Sequence, residues 1–234
     1  MEGVAHLLLQ AYTLLAATLL ITTANFSHPT AAYDPNPLQD LCVAVNHSIH
    51  GVYVNGKFCK DPRKVSPNDF FYTGLNVPRR TSNRLGVNVT LLTADSIPGL
   101  NTMGLSLGRV DLAANGGLNP PHHHPRASEI FYLIKGTLYV GFITANPTHR
   151  LFAKILTAGD VFVFPLGLIH FQWNIGSRQA VGFAILNSQN PGVVTTANTL
   201  FGAVPAVLSD VLAKAFQLDV ATVEYLQQLP WQNP

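Results

Sequence analysis

Between Gly86 and Asn187 short apolar runs alternate with polar positions, which predicts a structure built almost wholly from β-strands. In the first run Val87, Val89 and Leu91 would share one face, because successive side chains of a strand point to opposite sides. The predicted strands cover residues 86–91, 103–107, 130–134, 137–143, 151–156, 161–164, 171–175 and 181–186. Turn-forming residues separate most of them, and no helical pattern intervenes. The sequence therefore predicts an all-β fold, arranged as an antiparallel sandwich or barrel.

After Pro205 the apolar residues recur at helical spacing, three and four positions apart. The pattern predicts two short amphipathic helices, the second of them capped at its start by Asp219. Their apolar positions are Leu208, Val211, Leu212, Ala215 and Phe216, and then Val220, Val223, Leu226 and Leu229. We assign residues 86–200 to the barrel and residues 201–234 to this helical segment. The helices would cover either their own barrel or a neighbouring subunit.

The chain begins with a segment typical of a secretory signal. Residues 7–21 are almost wholly apolar, and small residues follow up to Ala32, after which we place cleavage, with Ala24 as the other candidate. About fifteen apolar residues are short for a membrane span, which needs roughly 20, so we expect no membrane partner. Residues 1–32 are interpreted as a signal peptide, and residues 33–85, irregular and rich in Pro, Asn and Asp, as an N-terminal arm.

Secretion gives the two cysteines, Cys42 and Cys59, a simple interpretation. In an oxidising compartment an even, closely spaced pair predicts one disulfide, worth about 3 kcal/mol in the loop-entropy model, and two buried thiols are the alternative. Two triplets, Asn46-His47-Ser48 and Asn88-Val89-Thr90, match the N-x-[ST] pattern of glycosylation. Asn46 and Asn88 are therefore candidate glycosylation sites in a secreted chain.

The low content of charged residues bears on which kinds of partner the protein could bind. Charged residues make up 11% of the 234 residues, against about 25% in an ordinary soluble protein, and the formal net charge is +2. The chain has no run of Lys or Arg, so nothing in it favours nucleic acid or an anionic membrane. Glycans or an oligomer would have to shield so weakly charged a surface, which favours C-terminal helices that cover a neighbouring subunit.

The candidate chemistry lies in a group of histidines. In extended backbone, residues two apart face the same side, so His122 and His124 would point together and His123 away from them. Glu129 opens the next predicted strand and His170 another, and an antiparallel barrel can bring such strand starts together in its mouth. Three imidazoles and a carboxylate suit Mn, Fe, Cu or Zn. Each residue alone also has an ordinary interpretation, as an exposed or a hydrogen-bonded side chain.

Two spaced motifs surround these residues. Residues 116–136 follow the pattern G-x5-H-x-H-x4-E-x6-G, and residues 159–174 follow G-x5-P-x-G-x2-H-x3-N. The two motifs match the first and second boxes of the germin family of plants. Residues 34–42, DPNPLQDLC, resemble the start of a mature germin, and residues 187–192, NSQNPG, resemble the segment that leaves the germin barrel. The resemblance extends over essentially the whole mature chain, which is identified as a germin-like protein.

The resemblance implies a cupin jelly-roll β-barrel with a short C-terminal helical segment. It implies manganese as the cofactor, held by His122, His124, Glu129 and His170. It further implies a glycosylated homo-oligomer, a hexamer built as a trimer of dimers whose C-terminal helices embrace neighbouring subunits. The protein would be secreted to the extracellular space of the plant, the apoplast or cell wall, with a role in defence.

The resemblance also bears on the reaction. Germins oxidise oxalate and carry two asparagines near the metal, of which one corresponds to Asn119 and the other falls at Gly108, which offers no amide. Several germin-like proteins instead resemble superoxide dismutases, and we expect that activity here, without oxalate oxidase activity. Gln172, two residues after His170, would orient a metal-bound water or else be a buried amide satisfied by backbone. The alternative is a non-catalytic cell-wall or receptor-like binding protein with a structural metal.

Overall fold

A computed structural model describes residues 42–45 and 57–231, so the signal segment, Asn46 and part of the arm lie outside the described residues. All described residues belong to one compact unit. The strands are β1 (Ala44–Val45), β2 (Phe58–Cys59), β3 (Val87–Leu92), β4 (Ser106–Leu112), β5 (Leu118–His123), β6 (Glu129–Lys135), β7 (Thr137–Ile143), β8 (Leu151–Thr157), β9 (Val161–Phe164), β10 (His170–Asn174), β11 (Ala180–Leu186) and β12 (Val194–Thr195). Short 3-10 turns lie at Pro62–Lys64, Pro67–Phe70 and Pro98–Leu100.

Two five-stranded antiparallel sheets form the barrel. One has the order β12-β5-β10-β7-β8 and the other the order β3-β4-β11-β6-β9. Several strands that are neighbours in a sheet are distant in sequence, as in the pairs β5–β10 and β4–β11, which is the connectivity of a jelly roll. The predicted all-β cupin barrel with a short C-terminal helical segment is therefore confirmed.

The strand predictions fail where buried charges interrupt the apolar pattern. The alternation over residues 103–107 predicts a strand, but the chain turns there, with φ of 64° at both Thr102 and Gly104. The strand in this region is β4, which begins later and contains Arg109 and Asp111. Both charged side chains are buried, so this strand is covered on both faces. The hydrophobic pattern does not predict it, because charged residues occupy the positions of one buried face.

The apolar core lies between the two sheets. Gly182 on β11 faces the ring of Phe131 on β6, and a Cβ atom at position 182 would lie 2.2 Å from Cζ of that ring. Glycine is therefore needed at this point, because the ring occupies the space of a side chain. The largest core side chains that are fully buried are Phe131, Phe164, Leu112, Leu133, Leu138 and Leu186.

A disulfide joins Cys42 to Cys59 across the β1–β2 pair, as predicted. Buried Asn101 connects this disulfide to the barrel: its Nδ2 donates to Cys42 Sγ and to Lys57 O, both at 3.2 Å. The Oδ1 atom of Asn101 accepts from Gln189 Nε2 at 3.2 Å. The arm is thus hydrogen-bonded to the segment that follows β11.

A buried ion pair holds the next part of the arm. Arg109 Nε and Nη2 donate to the two carboxylate oxygens of Asp111, each at 2.7 Å, and Nη1 donates to Leu75 O at 2.5 Å. These hydrogen bonds to Asp111 raise the pKa of the Arg109 guanidinium. Arg79 Nε donates to Thr90 Oγ1 at 3.2 Å, so the arm crosses the face of the β3–β4 pair opposite the barrel interior.

The C-terminal helices are α1 (Thr196–Phe201), α2 (Ser209–Phe216) and α3 (Val220–Gln227). The predicted cap of α3 is present, since Asp219 Oδ1 accepts from Thr222 N at 2.8 Å, whereas Leu229 lies beyond the helix end. The six-residue α1 is too short to give a helical pattern and was not expected. A small separate core, centred on Phe201, Leu212 and Val223, holds the helices together, and their role in oligomerisation remains a prediction. Within the described ranges no helix is long and apolar enough to cross a membrane.

Candidate metal centre

Four buried side chains converge inside the barrel. His122 lies in β5 and His124 directly after it, whereas Glu129 begins β6 and His170 begins β10. The antiparallel register of β5 and β10 places His122 directly opposite His170. The ligand atoms of the four residues all lie within 4.8 Å of one another. His123 points the other way and does not belong to the group, as its alternation in the strand predicts.

Backbone carbonyls fix the orientation of all three imidazoles. The Nδ1 atom of His122 lies 2.8 Å from Pro120 O, and that of His170 lies 2.9 Å from Leu168 O. The Nδ1 atom of His124 lies 2.6 Å from the carbonyl oxygen of Gly192. A carbonyl can only accept, so each Nδ1–H donates, and in the neutral ring Nε2 then carries the lone pair. The sequence could not reveal the Gly192 contact, because a carbonyl has no signature in side-chain patterns.

The charges inside the group favour a cation. Burial lowers the pKa of His122 to about 3, with the neighbouring His170 adding to the effect, so this imidazole is neutral at physiological pH. Burial alone would raise the pKa of Glu129, but the His124 and His170 imidazoles that contact its carboxylate outweigh burial and lower that pKa to about 2. The carboxylate is therefore ionised, in a site with no other anion among the four residues.

The contacts of Glu129 point to the same conclusion. Its Oε2 atom lies 3.0 Å from His124 Nε2 and 3.4 Å from His170 Nε2. With Nδ1 donating to a carbonyl, a neutral imidazole turns its Nε2 lone pair toward this oxygen, and two lone pairs repel unless a proton or a cation lies between them. His170 Nε2 is moreover buried without a hydrogen-bond partner. A divalent ion satisfies all four groups at once, so the residues fit a metal.

A cavity of about 260 Å³ opens beside three of the four ligands, His122, His124 and Glu129. Asn119, Thr195 and Val193 line it on the same side. On the other side it meets the aliphatic side chains of the sheet that contains β3, β4 and β11. Thr195 belongs to the two-residue β12, a strand too short for the hydrophobic pattern to predict.

The two expected neighbours of the metal contact each other. Asn119 Nδ2 donates to Gln172 Oε1 at 2.7 Å, and both side chains are buried. Asn119 lines the cavity, whereas Gln172 is not among the lining residues of the described chain. The Gln172 carbonyl is thus satisfied by the Asn119 amide. Gly108 also lines the cavity, opposite Asn119, and contributes no side chain there.

Of the two candidate glycosylation sites, Asn88 lies within the described residues. It is partly exposed on β3, the edge strand of its sheet, and its modification remains a prediction. Asn46 lies outside the described residues.

The jelly roll and its buried group of three histidines and one glutamate define a cupin, a barrel with a metal-binding group inside, and residues 73–224 match the family Cupin. Within this class the chain belongs to the germin-like proteins. It is 59% identical over 197 residues to germin-like protein subfamily 1 member 20 of Arabidopsis thaliana, a match that covers 84% of this chain and 88% of the relative.

Solved structures of similar proteins differ in their reported chemistry. A recombinant oxalate oxidase in complex with glycolate is 42% identical, with a TM-score of 0.78, over 83% of this chain and 96% of that one. Peruvianin-I, described as a cysteine peptidase from Thevetia peruviana latex, is 39% identical, with a TM-score of 0.65, over 70% of this chain and 98% of that one. The shared barrel therefore does not fix the reaction.

Proposed function

We propose that this chain is a secreted, manganese-binding germin-like protein with superoxide dismutase-like activity. The observation that supports this most directly is the convergence of three Nε2 atoms and one carboxylate, with each imidazole fixed by a backbone carbonyl. Four such ligands leave two positions open on an octahedral ion. Open positions beside a cavity are typical of reactive centres, whereas structural centres are closed by protein ligands.

The donor set supports a redox-active ion. Nitrogen and oxygen donors without thiolate suit Mn, Fe, Cu or Zn, and the germin resemblance favours manganese among them. Manganese held there would supply one-electron chemistry, oxidising one superoxide to dioxygen and reducing a second, with two protons, to hydrogen peroxide. The anionic Glu129 lowers the net charge of the centre and so stabilises a higher oxidation state. Gln172 would hold Asn119 in place beside the open positions.

The cavity argues against oxalate as the substrate. Oxalate carries two carboxylates, and a site for it needs hydrogen-bond donors in addition to the metal. Gly108 offers none, Asn119 donates one of its two amide hydrogens to Gln172 and has a single one left, and no Lys or Arg lines the cavity within the described part of the chain. With one oxygen of each carboxylate on the metal, the outer oxygens of oxalate would lie against aliphatic side chains without a donor, which costs several kcal/mol. We therefore propose that the chain lacks oxalate oxidase activity, although it resembles an oxalate oxidase in structure.

A peptidase activity of the kind reported for Peruvianin-I is not proposed. A cysteine peptidase needs a free thiolate as its nucleophile. The two cysteines of this chain are joined to each other in a disulfide, so no thiol is left to react.

A homo-oligomer, a hexamer built as a trimer of dimers, is the assembly that we propose. The outer face of the β6–β9 pair carries exposed Ile130, Tyr132, Ile134, Val161 and Val163. So large an apolar patch is unusual on a monomer and marks a surface that another protein covers. The C-terminal helices are also partly apolar outside. We further propose that the protein is located in the extracellular space, the apoplast and cell wall. It would carry glycans at Asn46 and Asn88 and have a role in plant defence.

The alternative function is that of a non-catalytic cell-wall or receptor-like binding protein whose metal is structural. The apolar outer faces and the low charge support a binding surface as well as they support an oligomer. This alternative predicts a metal that stabilises the chain but gives no turnover.

The experiment is metal analysis of the secreted protein, followed by superoxide and oxalate assays on the same preparation. The proposal expects about one manganese per chain, superoxide loss faster than with the same concentration of free manganese, and no peroxide from oxalate. A His124→Ala variant is the control, and it should lose the metal and the activity together. If manganese-loaded protein removed superoxide no faster than free manganese, the proposed activity would be rejected and the binding-protein alternative would be favoured. Peroxide production from oxalate would contradict the argument from Gly108.

A further inference from the structure

The cavity beside the four ligands is larger than superoxide requires. Its volume is about 260 Å³, whereas one water molecule occupies about 30 Å³ in the liquid. At that volume per non-hydrogen atom, the cavity accommodates roughly eight atoms, and superoxide has only two. The remaining space lies directly next to the metal ligands and within the same enclosure. A well-formed apolar pocket with a few convergent polar groups is typical of a site for a small organic molecule.

The walls of this space are divided by chemistry. Val89 and Leu91 on β3, Val110 on β4, and Ala184 and Leu186 on β11 form an aliphatic wall. These five positions belong to one sheet and face its interior side by alternation along each strand. The aliphatic wall therefore favours a hydrocarbon group, since each carbon buried against it is removed from water.

The opposite side favours oxygen atoms next to a metal. His122, His124 and Glu129 lie there, and Asn119 supplies the amide that faces the same space. An anionic carboxylate is the natural ligand of an ion held by only one protein carboxylate. A second oxygen on the adjacent carbon would fill the second open position and close a chelate ring. No guanidinium or ammonium group lines the cavity within the described residues, so nothing on the aliphatic side would bind a second anionic group.

We infer that the cavity binds a monocarboxylic acid that carries a hydroxyl or keto oxygen on the carbon next to the carboxylate and a short branched aliphatic body. The two oxygens would face the metal and Asn119, and the body would contact the aliphatic wall that contains Val89 and Leu91. The inference deepens the proposed function, because it rests on a metal held by the same four residues. It assigns the unused space to an organic ligand that would share the open positions with superoxide.

The test is a calorimetric titration of the metal-loaded protein with glycolate, lactate and 2-hydroxy-3-methylbutanoate, which present the same two oxygens on bodies of increasing size. Each added carbon should tighten binding about fourfold, the factor expected for a buried methylene. Oxalate, whose second carbon carries a further oxygen in place of an aliphatic body, should bind more weakly than 2-hydroxy-3-methylbutanoate. Metal-free protein should bind none of the acids measurably.

Two wall variants and one matched control locate the effect. Val89→Thr keeps the shape of the side chain and adds a hydroxyl to the aliphatic wall. Leu91→Asn likewise places a polar group in the wall, two residues further along β3. Either should reduce the preference for 2-hydroxy-3-methylbutanoate over glycolate by about tenfold, the cost of an unpaired polar group in an apolar pocket. Val77→Thr, at an exposed position of the arm, makes the same exchange outside the cavity and should leave the preference unchanged.

The outcomes separate this inference from the proposed activity. Equal affinity for glycolate and the branched acid, tighter binding of oxalate, or an unchanged preference in both wall variants would overturn the inference, even if superoxide is consumed rapidly. The same holds if metal-free protein binds the acids as well as loaded protein. A clear preference for the branched acid in a loaded protein without superoxide activity would support the inference and reject the proposed reaction.

Discussion

Two buried polar clusters lie on opposite faces of the sheet that contains β4, and they differ in whether their charges are matched. On the outer face, the Arg109 guanidinium forms a two-pronged contact with Asp111 and donates a third hydrogen bond to Leu75 O. On the inner face, Glu129 meets imidazole nitrogens that turn lone pairs toward it, and His170 Nε2 has no partner. The first cluster is complete within the protein, whereas the second is completed by an ion.

The difference distinguishes structural from functional burial of polar groups. A matched pair has nothing left to offer a ligand, because every donor already has an acceptor. An unmatched group of lone pairs is unfavourable by itself and gains free energy when a cation binds. The two clusters should therefore respond in opposite ways to substitution and to metal. The predictions below test that contrast in order of decreasing effect.

The largest effect is expected for Asp111→Ala. This substitution leaves the Arg109 charge buried without its partner, and breaking a buried pair from one side costs about 3–5 kcal/mol in the free energy of unfolding. The double variant Arg109→Met, Asp111→Leu should recover most of the loss, because it removes both charges and keeps the volume. Urea denaturation in the presence of saturating metal gives the free energy of unfolding of the unsubstituted protein, the single variant and the double variant. A double variant as unstable as the single one would show that the pair does more than balance its own charges.

Metal binding should produce the next largest effect. At a hundredfold excess over its dissociation constant, the ion should raise the free energy of unfolding by about 2.7 kcal/mol. His170→Leu should abolish that increment and yet change the stability of the metal-free protein by no more than about 1.5 kcal/mol, since Nε2 has no partner and the hydrogen bond lost is the one from Nδ1 to Leu168 O. Urea denaturation with and without a chelator gives both the stabilisation by metal and the stability of the metal-free protein. A His170→Leu chain that is strongly destabilised without metal would contradict the description of this cluster as incomplete.

Asn101 offers an uncharged, complete cluster for comparison. Asn101→Ala removes the donor to Cys42 Sγ and Lys57 O and the acceptor of Gln189, and should cost about 1–3 kcal/mol. The loss should be the same in metal-free and metal-loaded protein, because the network does not contain a ligand. Differential scanning calorimetry of the two forms measures it. A loss that depends on the metal would instead show that the arm influences the centre through the segment after β11.

The smallest effect of all is expected at Gly108, one of two glycines on the neighbouring strands β4 and β11. Gly182→Ala should destabilise by about 1–3 kcal/mol, because the new methyl group collides with the Phe131 ring. Gly108→Ala should change stability by less than about 1 kcal/mol, since its Cβ would meet only ordinary contacts, the nearest at 3.5 Å. Thermal unfolding compares the two. A large loss for Gly108→Ala would mean that the cavity beside the unmatched cluster does not have the free space described above.

The metal centre was predictable because its signal lies in local spacing. Alternation along one strand separates His122 and His124 from His123, and prolines restrict that segment to extended backbone. Glu129 and His170 each begin a strand after a turn, so the two remaining ligands lie where strand ends meet in a barrel. None of these inferences needs the register of distant strands. The family resemblance then identified the set as a whole.

The parts that could not be predicted depend on contacts between distant segments. The alternation predicts a strand over residues 103–107, whereas β4 continues through Arg109 and Asp111, whose burial depends on their mutual contact and on Leu75 O in the arm. The Asn119–Gln172 hydrogen bond joins residues from strands that are paired only in the folded sheet. The Gly192 carbonyl that orients His124 belongs to the backbone, and no pattern of side chains reports it.

The make-up of the cavity wall has a further consequence for chemical durability. A centre that releases peroxide exposes its own surroundings to oxidation, and thiol and thioether sulfur are the groups most readily attacked. The residues that line the cavity in the described chain are aliphatic, amide, hydroxyl, carboxylate and imidazole groups, with no sulfur and no indole among them. The chain's two cysteines are already oxidised to a disulfide, and Met103 lies outside the lining. The aliphatic wall of the cavity therefore contains none of the sulfur groups that the peroxide of the proposed reaction would attack first.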